Sequence, residues 1–561
     1  MNVTGKSVCI VLAGLAMMVL SAPAAYSYTW ESLIGLRQSD FERLAVNGFG
    51  DTANSYAWSI VCFDGDLIVG TNRHHMWSLM QQMGDLVPGL GDLFAPPASQ
   101  TWGDDVWADE FRGEIWRYSS GKWSCVHTSD VFYGRLPIEP NPLLPPPPEV
   151  EGYYPEAYGY RTLAVYDGAV FALGIGTWVP NMPWISVLRS YDGKTWENIT
   201  GSLEGATNPR GLLEWNGELF LSASLPGDAP AGAGIGVVYR FNPCADGYWE
   251  HVSEPGFGNP DNVEIPYLAE FNGCLYASTV NFNTGFEVWK TDGTCLENGM
   301  LLWTCVIKEG FGDTYNQWGM TMQAFGKHLY IGTAVGGGMV LKNNQPVGIR
   351  AFDVIRLDKN DRAQLIVGAY KPTDPLPGWP KSRVPLSRWP AGFGNPLNVY
   401  VWHMCVHNKW LYLATFDETS ILLMAAKTLL SQPDADISAL GEDSPLAQLR
   451  ARLDDLNQGA LNSQQRNVIK RLKDSIDSGN TSVLSPLIEF MLKAFGGADL
   501  WKTRDGIVWV PVTINGFNNP NNMGFRRLVS VQEGKIRGLV VGTANSHTDD
   551  PRGGSEILIG R

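Results

Sequence analysis

The sequence predicts an all-β fold: a seven-bladed β-propeller closed by an N-terminal strand, with an α-helical insertion in blade 6. Three observations carry this. A Gly-Phe-Gly unit recurs along the chain, seven tight hairpins are spaced through it, and the last copy ends one strand early. At 561 residues the chain is long for one ordinary domain, but repeat-built β folds run long. Its 44% hydrophobic content is globular, and 62 glycines beside 21 tryptophans suit many short strands and turns.

The first element is an export signal. Lys6 precedes an apolar run over Ser7–Leu20, and small residues follow at Ala22-Pro23-Ala24 and Ala25-Tyr26-Ser27. The run is too short for a membrane span and ends in a cleavage pattern, so residues 1–27 read as a signal peptide and 28–561 as the propeller. No later run of about 20 apolar residues is present, so no transmembrane segment is expected. The expected location is periplasmic, extracellular or cell-surface. The net charge of −15 argues against nucleic acid as a partner, which needs clustered Lys and Arg. Seven cysteines remain after Cys9 leaves with the signal. Cys295 and Cys305 flank one hairpin and are the best intrachain pair. Cys62 and Cys125 fall on the first and fourth strands of one blade, about 14 Å apart, beyond the roughly 7 Å Cα limit of a disulfide.

The repeat starts at Gly48-Phe49-Gly50, Gly256-Phe257-Gly258, Gly310-Phe311-Gly312, Gly392-Phe393-Gly394 and Gly516-Phe517-Asn518. An Asn follows each, at Asn54, Asn262, Asn316, Asn398 and Asn522. Next comes a hairpin whose turn is Asp64-Gly65, Asp167-Gly168, Asn216-Gly217 or Asn272-Gly273 in the first four copies. Such dipeptides mark two-residue turns because type I′ needs positive φ twice. The later copies turn at Gly326-Lys327, Asn408-Lys409 and Glu533-Gly534. A third strand opens with an acid (Glu114, Glu287, Asp353, Asp499, Glu556), and a fourth begins near a Trp. Four antiparallel strands about every 50 residues make propeller blades. The seventh copy stops after its third strand at Arg561, so Phe41–Val46, just before the first Gly-Phe-Gly, is expected to supply its fourth. The repeated Asn and acid residues read as loop caps, because one active site does not need five copies.

The pattern Gly256-Phe257-Gly258-Asn259-Pro260, Phe271-Asn272-Gly273 and Glu287-Val288-Trp289-Lys290-Thr291 resembles a group of uncharacterised secreted propellers of bacteria and archaea. The turns Ser190-Tyr191-Asp192-Gly193-Lys194-Thr195-Trp196 and Thr503-Arg504-Asp505-Gly506-Ile507-Val508-Trp509 resemble a degenerate Asp-box of sialidase-like propellers, one residue short between Asp and Gly. That resemblance speaks to fold. The sialidase arginine triad, Tyr-Glu pair and acid Asp have no residue-by-residue match here, so no catalytic role is carried over.

Insertions fall on one face: His74 to Asp109, Asp130 to Ala157, Lys371 to Trp389, and Asp417 to Gly497. Residues 419–496 read as helical: Ser444-Pro445 and Ser485-Pro486 are start signals, and leucines follow at helical spacing. Insertions confined to one face mark a binding face. The candidate binding residues there are His74, His75, Trp77, Asp417, Glu418, Arg526, His547 and Asp549, from blades 6, 7 and 1. Trp77, Trp102, Trp107, Trp379 and Trp389 are candidate sugar platforms. No cofactor motif is evident; the histidines and carboxylates are chemically able to take a divalent metal or do acid–base work. No HExxH, G-x-S-x-G or P-loop occurs. The expected function is a binding or scaffold module for a glycan, a surface polymer or a protein partner. The alternative is a sialidase-like glycan-active hydrolase or lyase, for which Asp417 or Glu418 facing Asp549 or Asp550 is the carboxylate pair to examine.

Overall fold

The computed structural model describes residues 35–76, 105–135, 151–176, 185–203, 205–226, 234–245, 247–335, 339–342, 345–395, 397–421, 470, 474, 496–532, 534, 536–547 and 550–561. Among them the chain is mostly β, with the repeated antiparallel sheets of a β-propeller. Seven four-stranded units follow one another. Their first strands are Asn54–Phe63, Gly159–Tyr166, Leu212–Trp215, Glu264–Phe271, Trp318–Phe325, Asn398–His407 and Gly524–Val531. Within a unit each strand pairs antiparallel with the next, as in Asn54–Phe63, Asp66–Arg73, Glu114–Ser119 and Lys122–Thr128 of unit 1. In unit 7 the fourth strand is Phe41–Ala45, paired with Ile557–Gly560 in the register Phe41↔Gly560 to Ala45↔Ile557.

The hairpin turns adopt the predicted geometry. Asp64 and Gly65 have φ of 50° and 79°, Asn216 and Gly217 52° and 78°, and Asn272 and Gly273 53° and 77°. The Gly-Phe pair is less ordinary, because a bulky residue at positive φ costs energy. Phe49, Phe257, Phe311, Phe393 and Phe517 all sit between +56° and +66°. Packing supplies the reason. Phe49 stacks on Trp116 of the third strand at 5.0 Å and meets Trp123 of the fourth edge-on at 4.7 Å. Phe257 lies likewise on Trp289 at 5.1 Å and Phe393 on Trp501 at 4.2 Å.

The repeated Asn is the capping residue the sequence implies. Asn262 Nδ2 donates to Gly256 O at 2.9 Å and to Glu287 Oε2 at 2.7 Å. The same pair of bonds joins Asn54 to Gly48 and Glu114, Asn316 to Gly310 and Asp353, Asn398 to Gly392 and Asp499, and Asn522 to Gly516 and Glu556. One buried amide thus ties the entry loop of each of these units to its third strand.

The apolar core is divided among the sheets, apart from one cluster that joins Tyr56, Trp58, Met320, Trp402 and Met523 across several units. One cluster fills each gap between neighbouring sheets, such as Ile68, Ile115, Tyr160, Leu163 and Val170 between units 1 and 2. The gap between units 7 and 1 is filled by Ala45, Ala57, Ile60, Val540 and Ile557. The first strands of successive units touch, and the seventh touches the first.

Several expectations are corrected or extended. Cys295 and Cys305 are not bridged; each thiol bonds to a nearby backbone oxygen, of Gly293 and Ile307. Trp379 and Trp389 are not free platforms. Trp379 Nε1 donates to Glu309 Oε2 at 2.6 Å, and Trp389 packs edge-on against Trp501 at 5.0 Å. Two insertions are hairpins, Val131–Arg135 with Glu151–Pro155 and, unanticipated, Met339–Lys342 with Gln345–Ile349. Thr419 to Ile421 start helically. The rest of the 419–496 helical expectation lies almost wholly outside the described residues, as do the signal peptide, Trp77, Trp102 and Asp549.

Candidate functional site

Bridges between units place the site. Tyr56 bridges Ala544, Gly159 bridges Asn72, Tyr400 bridges Ala334, and Gly524 bridges Phe416. Two residues beyond these bridges stand Trp58, Arg161, Trp402 and Arg526, on four different first strands. Each arginine lies on a ring contributed by another unit: Arg161 over Trp58 at 4.7 Å, Arg526 over Trp402 at 5.3 Å, and Arg210 over Trp318 at 5.0 Å. Stacking of this kind holds a guanidinium flat while leaving its edge for hydrogen bonds.

These charges sense one another. Burial first, then Arg210 and Arg526, lowers the pKa of Arg161. Burial, then Arg527 and Arg210, does the same to Arg526. One carboxylate answers them among the described residues: Glu264, held by Arg210 Nη2. Arg161 Nη1 is spent on Asn208 Oδ1 at 3.0 Å and Pro209 O at 3.1 Å. The Nε atoms of Arg161, Arg210 and Arg526 are buried and have no partner. The group therefore carries an uncompensated positive charge and N–H donors with nothing to bond, which is costly unless an anion visits.

His75 belongs to this group. Its ring lies 4.7 Å from Tyr56, 5.3 Å from Trp58 and 6.4 Å, parallel, from Tyr158. Burial, then Arg161, Arg526 and Arg210, pushes its pKa down to about 3, so it is neutral, and Nδ1 has no partner. Alongside, His403 Nε2 meets Arg527 Nη1 at 2.9 Å and Tyr267 OH at 3.2 Å. Tyr56, Trp58 and Trp402 also pack against Met76, Ala108, Phe111, Tyr154 and Ile421, residues that belong to or border the inserted connections.

The structure thus joins His75 and Arg526, two of the eight residues singled out from sequence. The others lie elsewhere or outside the described residues. His74 is buried with φ of 48°, its Nε2 2.7 Å from Glu110 Oε1, and burial lowers its pKa. His547 is buried and neutral, its pKa pushed down to about 4 mainly by burial, and its backbone N–H donates to Asn545 Oδ1 at 3.3 Å. Asp417 is fully buried; Oδ2 accepts from Asn395 Nδ2 at 2.6 Å and Oδ1 from Thr419 N–H at 2.5 Å, and burial raises its pKa to about 6. Glu418 is half-buried, raised to about 8 by burial and then by Asp417. Asp550 holds Arg552 Nε at 3.3 Å. Trp77 and Asp549 lie outside the described residues. Among the described residues no three His, Cys, Asp or Glu side chains converge as a metal site.

Arg161 and Arg210 escaped the sequence reading because units 2 and 3 lack the Gly-Phe signature. A signal existed: Gly159-Tyr160-Arg161 and Gly524-Phe525-Arg526 repeat one glycine-aromatic-arginine pattern at one strand position.

No family model matches the chain, and no curated protein is significantly similar to it. Solved structures share limited likeness. The α-L-arabinanase of Penicillium chrysogenum in complex with arabinobiose is 10% identical over 67% of this chain and 93% of its own, with a TM-score of 0.32. The PL25 ulvan lyase bound to -[GlcA(1-4)Rha3S]- is 10% identical over 67% and 82%, at 0.33. The GH43_1 enzyme of Xanthomonas citri with xylose is 10% identical over 73% and 88%, at 0.30. Likeness at this level carries no argument about what this chain does.

Proposed function

We propose that the seven units are the blades of one closed ring, and that its inner mouth, on the insertion-bearing face, recognises an acidic saccharide. The pairing of Phe41–Ala45 with Ile557–Gly560 and the contact of the seventh first strand with the first support the ring. The observation that carries the ligand class is the group Arg161, Arg210 and Arg526, three guanidiniums with one carboxylate and three unpartnered Nε atoms. Guanidinium is the side chain best matched to a carboxylate or sulfate. The half-buried rings of Trp318, Tyr400 and Tyr267 beside it suit the apolar faces of a sugar. Export, expected from the N-terminus, would put the protein where such polymers occur.

Catalysis by elimination is the second reading, favoured by His75. A uronate carboxylate bound to the arginines loses its charge, which acidifies its C5–H. It also offsets the arginines' share of the depression of His75, the larger share of which comes from burial. Neutral His75 would then take the C5 proton as the C4–O bond breaks and a C4=C5 double bond forms, and the departing oxygen would take a proton from a neighbouring hydroxyl. Hydrolysis by paired carboxylates is less well supported, because Glu264, the carboxylate of this group, is engaged by Arg210.

The test is isothermal titration of the full-length protein with oligouronates and with neutral oligosaccharides of equal length. Binding of the acidic series alone is expected, weakened at least tenfold, about 1.4 kcal/mol, by Arg161→Gln or Arg526→Gln. Equal affinity for the neutral series, or arginine variants that bind unchanged, overturns the reading. Ultraviolet absorbance of an unsaturated uronate, lost in His75→Phe, would establish the lyase branch.

A further inference from the structure

Unit 6 departs from the arrangement of units 4 and 7. Two residues beyond the threonine of their second strands stands a residue that donates to the capping Asn. In units 4 and 7 it is Asn281 or Asn545, whose Nδ2 donates to Asn262 Oδ1 at 3.2 Å and Asn522 Oδ1 at 3.3 Å. In units 1 and 5 the position holds Arg73 and Val335, and the threonine itself donates to the cap, Thr71 Oγ1 to Asn54 Oδ1 at 2.9 Å and Thr333 Oγ1 to Asn316 Oδ1 at 3.1 Å. In unit 6 it is Asp417, an acceptor. Asn398 donates Nδ2 to Gly392 O at 3.1 Å and to Asp499 Oδ2 at 2.7 Å, which turns its Oδ1 toward Asp417. That oxygen is fully buried and has no partner.

The charges are equally unbalanced. The third-strand acid meets an arginine in unit 1 (Arg73), unit 5 (Arg350 and Arg383) and unit 7 (Arg43, 3.1 Å from Glu556), whereas Glu287 of unit 4 is held by Asn259, Asn262 and Trp289 and has no second carboxylate at the Asn281 position. Asp499 has amide and indole donors only, Asn398 Nδ2 and Trp501 Nε1 at 3.2 Å, and both reach Oδ2. Asp417 stands beside it as a second carboxylate, and no Lys or Arg pairs with either among the described residues. Two buried carboxylates and an orphaned amide oxygen facing one another repel unless something positive lies between them.

We propose that this pocket of unit 6 binds one calcium ion, through Asp417, Asp499 and Asn398 Oδ1. The donors are all hard oxygens, the set that selects calcium over softer metals. At the usual Ca–O distance of about 2.3–2.6 Å an ion satisfies Asn398 Oδ1 and neutralises both carboxylates, with water completing its shell. Through Asp417 and Asp499 it also joins the two ends of the blade 6 insertion to the sheet, because Asp417 N–H bonds Met523 O at 2.8 Å and Ala498 N–H bonds Asn522 O at 2.7 Å.

Full-length protein stripped with a chelator is titrated with CaCl2 by calorimetry and melted with and without calcium. One equivalent of calcium should bind and raise the unfolding midpoint. Asp417→Asn should lose at least tenfold in calcium affinity. It should melt no lower than the parent in chelator, because its new Nδ2 can donate to Asn398 Oδ1 as Asn281 and Asn545 do to their partners. A parent that binds no calcium in direct titration overturns the proposal whether or not the variant folds, and so does Asp417→Asn that binds calcium as the parent does. Oligouronate binding at the arginine group is measured separately, so each assignment fails on its own assay.

Discussion

Asn262→Ala tests the account of the repeat most sharply. The side chain has no exposure and makes three bonds: Nδ2 to Gly256 O at 2.9 Å, Nδ2 to Glu287 Oε2 at 2.7 Å, and Oδ1 from Asn281 Nδ2 at 3.2 Å. Alanine strands a backbone carbonyl and an amide, each costing about 1 kcal/mol, and removes a charge-assisted bond of about 2 kcal/mol. Glu287 keeps Trp289 Nε1 at 2.8 Å and Asn259 Nδ2 at 3.2 Å, so it is not left bare. The sum is a loss of about 4 kcal/mol. Urea unfolding monitored by tryptophan fluorescence reads it, with Asn360→Ala, at an exposed turn, as a control expected to change stability within about 0.5 kcal/mol. A loss under about 1 kcal/mol, or one equal to the control, would refute the reasoning that this amide holds the entry loop to the third strand.

Two further outcomes are expected. Removing residues 28–45 takes away the partner of Ile557–Gly560 and the Leu36 N–H to Tyr412 hydroxyl bond at 3.1 Å, so the variant should aggregate or melt well below the parent; a monomer that melts like the parent would show that closure does not depend on this strand. His75 should make the fold acid-sensitive. Its folded pKa of about 3 lies below 6.5, so between these values the unfolded chain binds a proton that the folded chain refuses, and stability falls as pH drops through that window. At pH 5 the term is about 2 kcal/mol and should vanish in His75→Phe; identical pH profiles for parent and variant would exclude it.

Much of the architecture was determined by the sequence itself, because it is written in local chemistry. Asp-Gly and Asn-Gly turns need positive φ at two adjacent residues and declare their hairpins without reference to the rest of the chain. Gly-Phe-Gly with Asn six residues after the first glycine encodes a loop, its cap and its aromatic wedge within one unit, as Phe257, Asn262 and Trp289 show. The missing fourth strand after Ile557–Gly560 was a matter of counting, and Phe41–Ala45 was in place to fill it. The arginine group was decided by tertiary structure alone. Arg161, Arg210 and Arg526 come from units 2, 3 and 7; a shared glycine-aromatic-arginine pattern marks the strand position of Arg161 and Arg526, but no local spacing brings the three side chains together. Their meeting follows from the register between first strands, which long-range bridges such as Asn72↔Gly159 and Phe416↔Gly524 set. The same holds for what the loop residues do. His74 and His75 are neighbours in sequence, yet one turns to Glu110 and the other to the arginines, because positive φ at His74 redirects the chain between them.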